Sequence, residues 1–215
     1  MSKRVAEIVV DALQQAGVRR CYGIVGDTLN HVTDAMHGSE IAWVHVRHEE
    51  VAAFAAGADS LVSGELTACA GSCGPGSLHF INGVFESNRN RAPMVLIASQ
   101  VVTSELGMEF PQEVDFKAVY ASCSVFCEQV HSAEQARRVV TLACQAAISR
   151  RGVAGGGRGP PINPGRREDQ VPVSGLFTPP PVPPPGAALA RPPPQPGGGA
   201  RHARPPRRRV PRGRR

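Results

Sequence analysis

Apolar residues recur with two alternating periods along the first 150 positions. Between Val5 and Ala16 they lie three and four residues apart, which is the spacing of an amphipathic helix, and the spacing returns between Ala133 and Ala147. Continuous apolar runs separate the helical stretches at residues 20–25, 41–46, 66–70, 94–98 and 124–130. Helices that alternate with such runs are typical of a parallel sheet covered on both faces. The pattern therefore predicts an α/β three-layer sandwich with five parallel strands and helices on both faces.

The third predicted helix differs from the others because a carboxylate stands directly before an uncharged stretch. Its larger apolar positions recur on one side, which we expect to face the core: Val51, Phe54, Ala55, Ala58, Leu61 and Val62. Glu49 and Glu50 open this helix. A first-turn carboxylate is either a solvated charge, stabilised by the helix dipole by about 0.3–1 kcal/mol, or a group held there for chemistry. The helical pattern leaves both interpretations open for Glu49.

Three turns follow predicted strands and are rich in glycine or polar residues. They are Gly26-Asp27, His48-Glu49 and the stretch from Gly71 to Gly76. Ligands of open parallel sheets bind beyond the carboxyl ends of the strands, so we expect these turns to line one crevice. The glycines of Gly74-Pro75-Gly76 allow a ligand to approach the backbone closely. No Lys-Ser or Lys-Thr follows them, so a phosphate-binding P-loop is not indicated.

The same turns lie within four motifs that occur in a fixed order. The motifs read Y-G-I-V-G-D-T-L-N, R-H-E-E-V-A-A-F-A-A-G-A, C-A-G-S-C-G-P-G-S-L-H-F-I-N-G-V-F-E-S-N-R-N and S-E-L-G-M-E-F-P-Q-E. Together they resemble the N-terminal pyrimidine-binding domain of thiamine diphosphate-dependent enzymes over about residues 3–153. Within that superfamily, which includes acetolactate synthase, the pattern is most similar to the pyruvate oxidase and pyruvate:quinone dehydrogenase group.

The resemblance implies roles for individual residues. Glu49 corresponds to the catalytic glutamate that hydrogen-bonds the ring nitrogen N1′ of the cofactor's aminopyrimidine. The resemblance places further residues on the cofactor side, namely Gly26, Gly74, Pro75, Gly76 and Asn82, and it places Gln112 on the substrate side. For Gly26, Asn82 and Gln112, ordinary turn or helix packing is an equal alternative.

The resemblance also implies what the chain lacks. Full-length relatives hold the diphosphate through magnesium in a domain with a G-D-G motif, and the pyruvate oxidase group also binds FAD. No G-D-G motif occurs in this sequence, so we expect only the pyrimidine half of the thiamine diphosphate site, no metal ligands and no flavin site. The implied reaction is decarboxylation of a 2-oxo acid such as pyruvate. We expect the chain to be inactive alone and to need a homo-oligomer or a separate diphosphate-binding domain.

Composition changes sharply after residue 153. Residues 1–150 carry 11 Lys and Arg against 16 Asp and Glu, whereas residues 151–215 carry 13 Arg against Glu168 and Asp169, which together give the net charge of +6. The sequence thus predicts a thiamine diphosphate enzyme domain at 1–153 and a disordered Pro/Arg/Gly-rich tail at 154–215. The resemblance implies that a sixth apolar strand should follow residue 153, so we expect a sheet edge left bare where that strand belongs. Gly-Gly-Gly-Arg-Gly-Pro, read one base later with suitable codons, becomes Val-Val-Val-Val-Val-Pro, so the tail is interpreted as an out-of-frame product. The alternative is a non-catalytic module whose basic tail binds nucleic acid or anionic surfaces.

The remaining composition is that of a cytoplasmic protein. No leader or long apolar run is evident, so we expect a cytoplasmic location and at most peripheral contact with membranes. The six cysteines are expected to be buried free thiols. Cys69-x3-Cys73 and Cys123-x3-Cys127 have the wrong spacing for a typical zinc site.

Overall fold

The structure is a computed structural model that describes residues 2–158 and 170–172. Its helices are α1 (Val5–Gln15), α2 (Asn30–His37), α3 (Glu49–Ser63), α4 (Pro75–Leu78), α5 (Ile81–Arg89), α6 (Phe116–Tyr120) and α7 (Ala133–Arg150). Its strands are β1 (Ser2–Arg4), β2 (Arg20–Gly23), β3 (Ala42–His45), β4 (Thr67–Gly71), β5 (Met94–Ala98), β6 (Phe126–Val130), β7 (Val153–Arg158) and β8 (Gln170–Pro172). Strands β1 and β8 form a separate antiparallel pair.

The main sheet is parallel throughout, and its strand order is β3-β2-β4-β5-β7-β6. The predicted α/β class is confirmed, but the prediction of five strands with a bare edge is wrong. Strand β7 fills the place between β5 and β6, where Gly155 is in register with Leu96 and with Cys127. The apolar pattern does not indicate this strand because three of its residues are glycines. Their backbone groups still form the hydrogen bonds that a parallel sheet requires.

Helices cover both faces of the sheet and divide the core into two clusters. Helices α1, α2 and α7 enclose the larger cluster, to which β5 contributes Val95 and Ile97. Helices α3, α5 and α6 enclose the other cluster, which receives Met94 and Leu96 from the same strand. Alternate residues of one strand therefore enter opposite layers, as the three-layer prediction requires.

The buried side of α3 is not the one predicted. Its buried residues are the small ones, Ala52, Ala53, Ala56, Gly57 and Ser60, whereas the larger apolar residues face outward. Close packing on α5 explains this choice, because a Cβ at Gly83 would lie 2.5 Å from the Ala53 Cβ and one at Gly57 would lie 2.0 Å from the Ser87 Oγ. The outward stripe includes Phe54 and Val62, the latter 89% exposed.

Other boundaries differ from the sequence prediction in small ways. The helix expected from Ser77 to Asn88 is divided into α4 and α5, and the short α6 lies in a stretch where none was predicted. Strand β7 includes residues 154–158 of the predicted tail, and β8 lies within it. The predicted disorder of residues 159–169 and 173–215 lies outside the described residues.

The cysteines and the helix lengths agree with the sequence analysis. All six cysteines are free thiols, five are buried and Cys127 is half-buried, as predicted. Within residues 2–158 and 170–172, none of the helices combines the length and the apolar character needed to traverse a bilayer.

Candidate functional site

Three turns meet at the carboxyl edge of β2 and β4, as the sequence predicts. The turn after β2 touches the turn after β4, where the Thr28 and Ser72 hydroxyls are 2.9 Å apart and the Cys73 N–H donates to Thr28 Oγ1 at 3.0 Å. Gly26 permits this contact, because a Cβ there would lie 2.6 Å from the Ser72 Cβ. The role of Gly26 seen in the structure is therefore close packing of two turns.

The Gly-Pro-Gly turn needs glycine at its first position. Gly74 has φ +63° and ψ −129°, a conformation that residues with a Cβ rarely adopt. A Cβ there would also lie 2.9 Å from the Cβ of Gln112, which arrives on the long loop after β5. Gln112 is held at the turn by the Cys73 thiol, whose Sγ lies 3.8 Å from Gln112 Oε1. The structure thus brings Gln112 to the predicted cofactor-side glycines.

Pro75 and Gly76 begin the short helix α4, with Pro75 exposed at its first position. The Ser77 hydroxyl does not cap this helix; it donates to the carbonyl oxygens of Gly71 and Ser72 at 3.1 and 2.7 Å. The Tyr120 hydroxyl donates to the Ser77 carbonyl. These bonds hold the backbone of the turn in a fixed position against the end of β4.

Glu49 lies beside this turn at the first position of α3. Its side chain is only 13% exposed, and its Oε2 lies 3.1 Å from Nδ1 of His79. A Cβ added to Gly76 would lie 3.5 Å from Glu49 Oε1, so the glycine leaves that oxygen uncovered. Among the described residues Oε1 has no hydrogen-bond partner. Glu49 is therefore a largely buried carboxylate with one oxygen anchored and one oxygen open toward the turn.

Two imidazoles flank this carboxylate. The rings of His48 and His79 are stacked with centroids 4.7 Å apart. His48 is the N-cap of α3, and its Nδ1 accepts the Glu50 N–H at 3.2 Å, which is the structural role that a histidine at a strand end often has. One nitrogen of each ring and one Glu49 oxygen lie within 4.8 Å of one another.

The predicted site residues thus separate into two groups. Glu49, Gly74, Pro75, Gly76 and Gln112 line the turn region together with Gly26. Asn82 points elsewhere, because its Nδ2 donates to Oε1 of Glu50 at 2.7 Å rather than to Glu49.

His79 is a site residue that the sequence analysis missed. It follows Gly76 by three residues, which is one helical turn, and this spacing was the available signal that it reaches the neighbourhood of that glycine. The break between α4 and α5 falls at His79 and Phe80.

Sequence comparisons agree with this geometry. The profile of the family "Thiamine pyrophosphate enzyme, N-terminal TPP binding domain" matches residues 3–119. An uncharacterized 42.6 kDa protein in the isoamylase 3' region of Pseudomonas amyloderamosa is 49% identical over 152 residues, which are 70% of this chain and 38% of that protein. The putative thiamine pyrophosphate-containing protein YdaP of Bacillus subtilis is 34% identical over 154 residues, which are 71% of this chain and 27% of YdaP.

A third relative carries an enzyme name. The pyruvate oxidase of Lactiplantibacillus plantarum is 32% identical over 148 residues, which are 68% of this chain and 24% of that enzyme. The chain therefore spans between about a quarter and two fifths of the length of these relatives. Because the family profile matches more than half of the chain and its motif residues surround Glu49, the chain belongs to the family of the thiamine pyrophosphate enzyme N-terminal TPP binding domain.

Proposed function

We propose that this chain binds the aminopyrimidine side of thiamine diphosphate as the N-terminal part of an oxidoreductase that decarboxylates a 2-oxo acid such as pyruvate. The observation that supports the proposal is the open Oε1 of Glu49, which faces the Gly-Pro-Gly turn at the carboxyl edge of a parallel sheet. The similarity of this chain to a protein named pyruvate oxidase supports the reaction class, which is decarboxylation of a 2-oxo acid. We further propose a cytoplasmic location.

The residues at this edge fit an aminopyrimidine ring. A flat ring with a basic nitrogen needs a carboxyl group as its partner and an adjoining surface without side chains, and Glu49 and Gly76 provide these two features. When bound, thiamine diphosphate supplies the electron sink for loss of carbon dioxide, and the protein positions it and manages protons. Glu49 Oε1 would hold the proton shared with the ring nitrogen N1′.

The neighbours of Glu49 keep it in position for this role. The hydrogen bond between His79 Nδ1 and Oε2 at 3.1 Å fixes the plane of the carboxyl group, so that Oε1 stays directed at the turn. The low exposure of the side chain shields this carboxyl group from water. A carboxyl group held in one orientation is suited to sharing a proton with a ring nitrogen within hydrogen-bond reach.

The outward face of α3 supports the need for a second domain or subunit. Its stripe of larger apolar residues begins at Val51, two positions after the proposed catalytic group, and continues through Phe54 to Val62. Phe85 of the adjoining α5 is also exposed. A contiguous exposed apolar surface is typical of a face that packs against another domain. We propose that a diphosphate-binding domain, with the magnesium and any FAD, covers this face and completes the site, so that the chain is inactive alone.

Complementation tests this proposal directly. The purified chain would be mixed with a separately expressed diphosphate-binding domain from the related pyruvate oxidase, in the presence of pyruvate, thiamine diphosphate, Mg²⁺ and an electron acceptor. We expect carbon dioxide release only in the mixture, and none with the Glu49→Gln chain. Glu50→Gln is the matched control, because Glu50 bonds Asn82 outside the turn. Turnover by the unmixed chain would contradict the predicted inactivity.

We also propose that residues from about 154 onward arise from out-of-frame reading of a longer gene. The strand β7 supports this, because an interior position of a sheet normally carries apolar side chains, yet here it reads Val-Ala-Gly-Gly-Gly-Arg. Resequencing the locus tests the idea. A one-base shift should restore a valine-rich strand followed downstream by a G-D-G motif, and the absence of that motif from the alternative frame would refute it.

A further inference from the structure

We propose that His48, Glu49 and His79 bind one divalent transition-metal ion, with Zn²⁺, Co²⁺ and Ni²⁺ as the chemical class. Two imidazoles and one carboxylate form a ligand set that such ions prefer over Mg²⁺ or Ca²⁺. No motif in the sequence indicates this site, because His48 and His79 are 31 positions apart and come together only through the packing of α3 against the α4–α5 turn.

The distances suit a shared ion. Bonds of about 2.0–2.1 Å from nitrogen and oxygen place neighbouring ligand atoms about 3–3.5 Å apart on one ion. The 3.1 Å between His79 Nδ1 and Glu49 Oε2 already lies in this range. The third ligand, a nitrogen of His48, lies within 4.8 Å of both. The His48 side chain is 48% exposed, so rotation of its ring away from the bond with the Glu50 N–H can bring a ring nitrogen closer to the ion.

A second layer of polar groups supports His48 as a ligand. Histidine ligands usually donate their other ring N–H to a carboxylate. Glu50 Oε2 lies 3.9 Å from His48 Nδ1, and Asn82 holds the other oxygen of Glu50 at 2.7 Å. When His48 coordinates through Nε2, its ring proton lies on Nδ1. The bond that Nδ1 accepts from the Glu50 N–H is then exchanged for donation to the Glu50 carboxylate.

The ion would have an open coordination sphere and direct access to solvent. Within the part of the chain that the structure describes, three protein ligands converge, and both imidazoles lie at the surface beside the partly covered carboxylate. Water would complete the sphere. The inference shares Glu49 with the proposed function, and a metal ion on this carboxylate competes with the pyrimidine ring for it. The ion would thus act as a reversible block of the cofactor site.

Titration of the full chain with Co²⁺ tests the site without any thiamine diphosphate. Calorimetry and the visible absorption of Co²⁺ would be followed for the wild type and for His48→Asn, Glu49→Gln and His79→Gln. Asparagine is a good N-cap, so His48→Asn removes the imidazole while it preserves the start of α3. We expect one ion per chain in the wild type and at least about a tenfold loss of affinity in each variant, since even loss of supporting groups costs 10–100-fold. The exposed His37 at the end of α2 provides the control His37→Gln, which should bind as the wild type does.

The outcomes separate the two proposals. Unchanged Co²⁺ affinity in His48→Asn and His79→Gln would overturn the metal site, as would a thiolate charge-transfer band that assigns the bound ion to a cysteine. Such a failure would leave the proposed cofactor role of Glu49 untouched. Conversely, a chain that binds Co²⁺ at these three residues but shows no affinity for thiamine diphosphate would retain the metal site and lose the proposed function.

Discussion

A methyl group added at Gly155 should stabilise the fold. Gly155 lies in β7 in register with Leu96 of β5 and Cys127 of β6. Val153, two residues earlier on the same side of the strand, belongs to the core cluster under α3, α5 and α6. A Cβ added at Gly155 would lie 3.7 Å from Cys127 Sγ and 4.0 Å from the Phe126 carbonyl oxygen, which are ordinary contact distances. The substitution Gly155→Ala therefore adds a methyl group to this layer without a clash.

The magnitude follows from burial and from backbone entropy. Burial of one methyl group contributes about 0.8 kcal/mol. Replacement of glycine inside a strand contributes roughly 0.5–1 kcal/mol more. We therefore expect Gly155→Ala to raise the free energy of unfolding by about 1–2 kcal/mol.

Urea unfolding followed by circular dichroism measures this change. The midpoint should rise while the denaturant dependence stays constant. The control is Gly38→Ala, at an exposed turn with negative φ, which changes the entropy of the unfolded chain but buries nothing. Gly155→Ala should exceed this control by about 0.8 kcal/mol. Equal midpoints for the two variants, or a loss of stability in Gly155→Ala, would refute the burial of a methyl group at Gly155 in this apolar layer.

Three further predictions concern packing, pH and assembly. Gly57→Ala should lower the free energy of unfolding by about 1–3 kcal/mol in the same urea assay, because its Cβ would lie 2.0 Å from the Ser87 Oγ. An unchanged midpoint would contradict the close packing of α3 on α5. Burial raises the pKa of the Cys144 thiol to about 12. The folded state therefore keeps a proton that the unfolded chain releases above about pH 8.5, so stability should fall above that pH by about 1.4 kcal/mol per pH unit for this thiol. Cys144→Ala should remove that increment from urea titrations at alkaline pH, and identical pH profiles would contradict it. Phe54→Asp should weaken association with the diphosphate-binding domain in sedimentation, whereas an unchanged complex would show that the outward face of α3 is not the interface.

The sequence predicts much of the fold because apolar residues recur regularly in the helices and strands that pack in the core. The helix from Ala133 keeps Ala136, Val139 and Val140 inward as its spacing indicates. Strand β7 could not be predicted, since three consecutive glycines carry no apolar pattern and the strand forms through backbone pairing with β5 and β6. For α3 the usual rule that large apolar residues face the core is wrong, because the close approach of α5 admits only small side chains.

The candidate site is predictable where it consists of turns that follow neighbouring strands of the sheet. Glu49 and the Gly-Pro-Gly residues follow strands whose ends meet at one edge, so topology alone brings them together. The contact between Glu49 and His79 depends on the break between α4 and α5, which periodicity does not indicate. The resemblance places Asn82 on the cofactor side, whereas in the structure it bonds Glu50 across the contact between α3 and α5.

Binding of thiamine diphosphate to the full chain tests the central claim most directly. Calorimetric titration should give a measurable affinity for the wild type and a loss of about 10- to 100-fold for Glu49→Gln, since a hydrogen bond to a charged group is worth about 1.5–3 kcal/mol. Glu50→Gln, one residue away and bonded to Asn82, should bind as the wild type does. Equal affinity in the wild type and Glu49→Gln, or an equal loss in both variants, would contradict the role assigned to the open oxygen of Glu49.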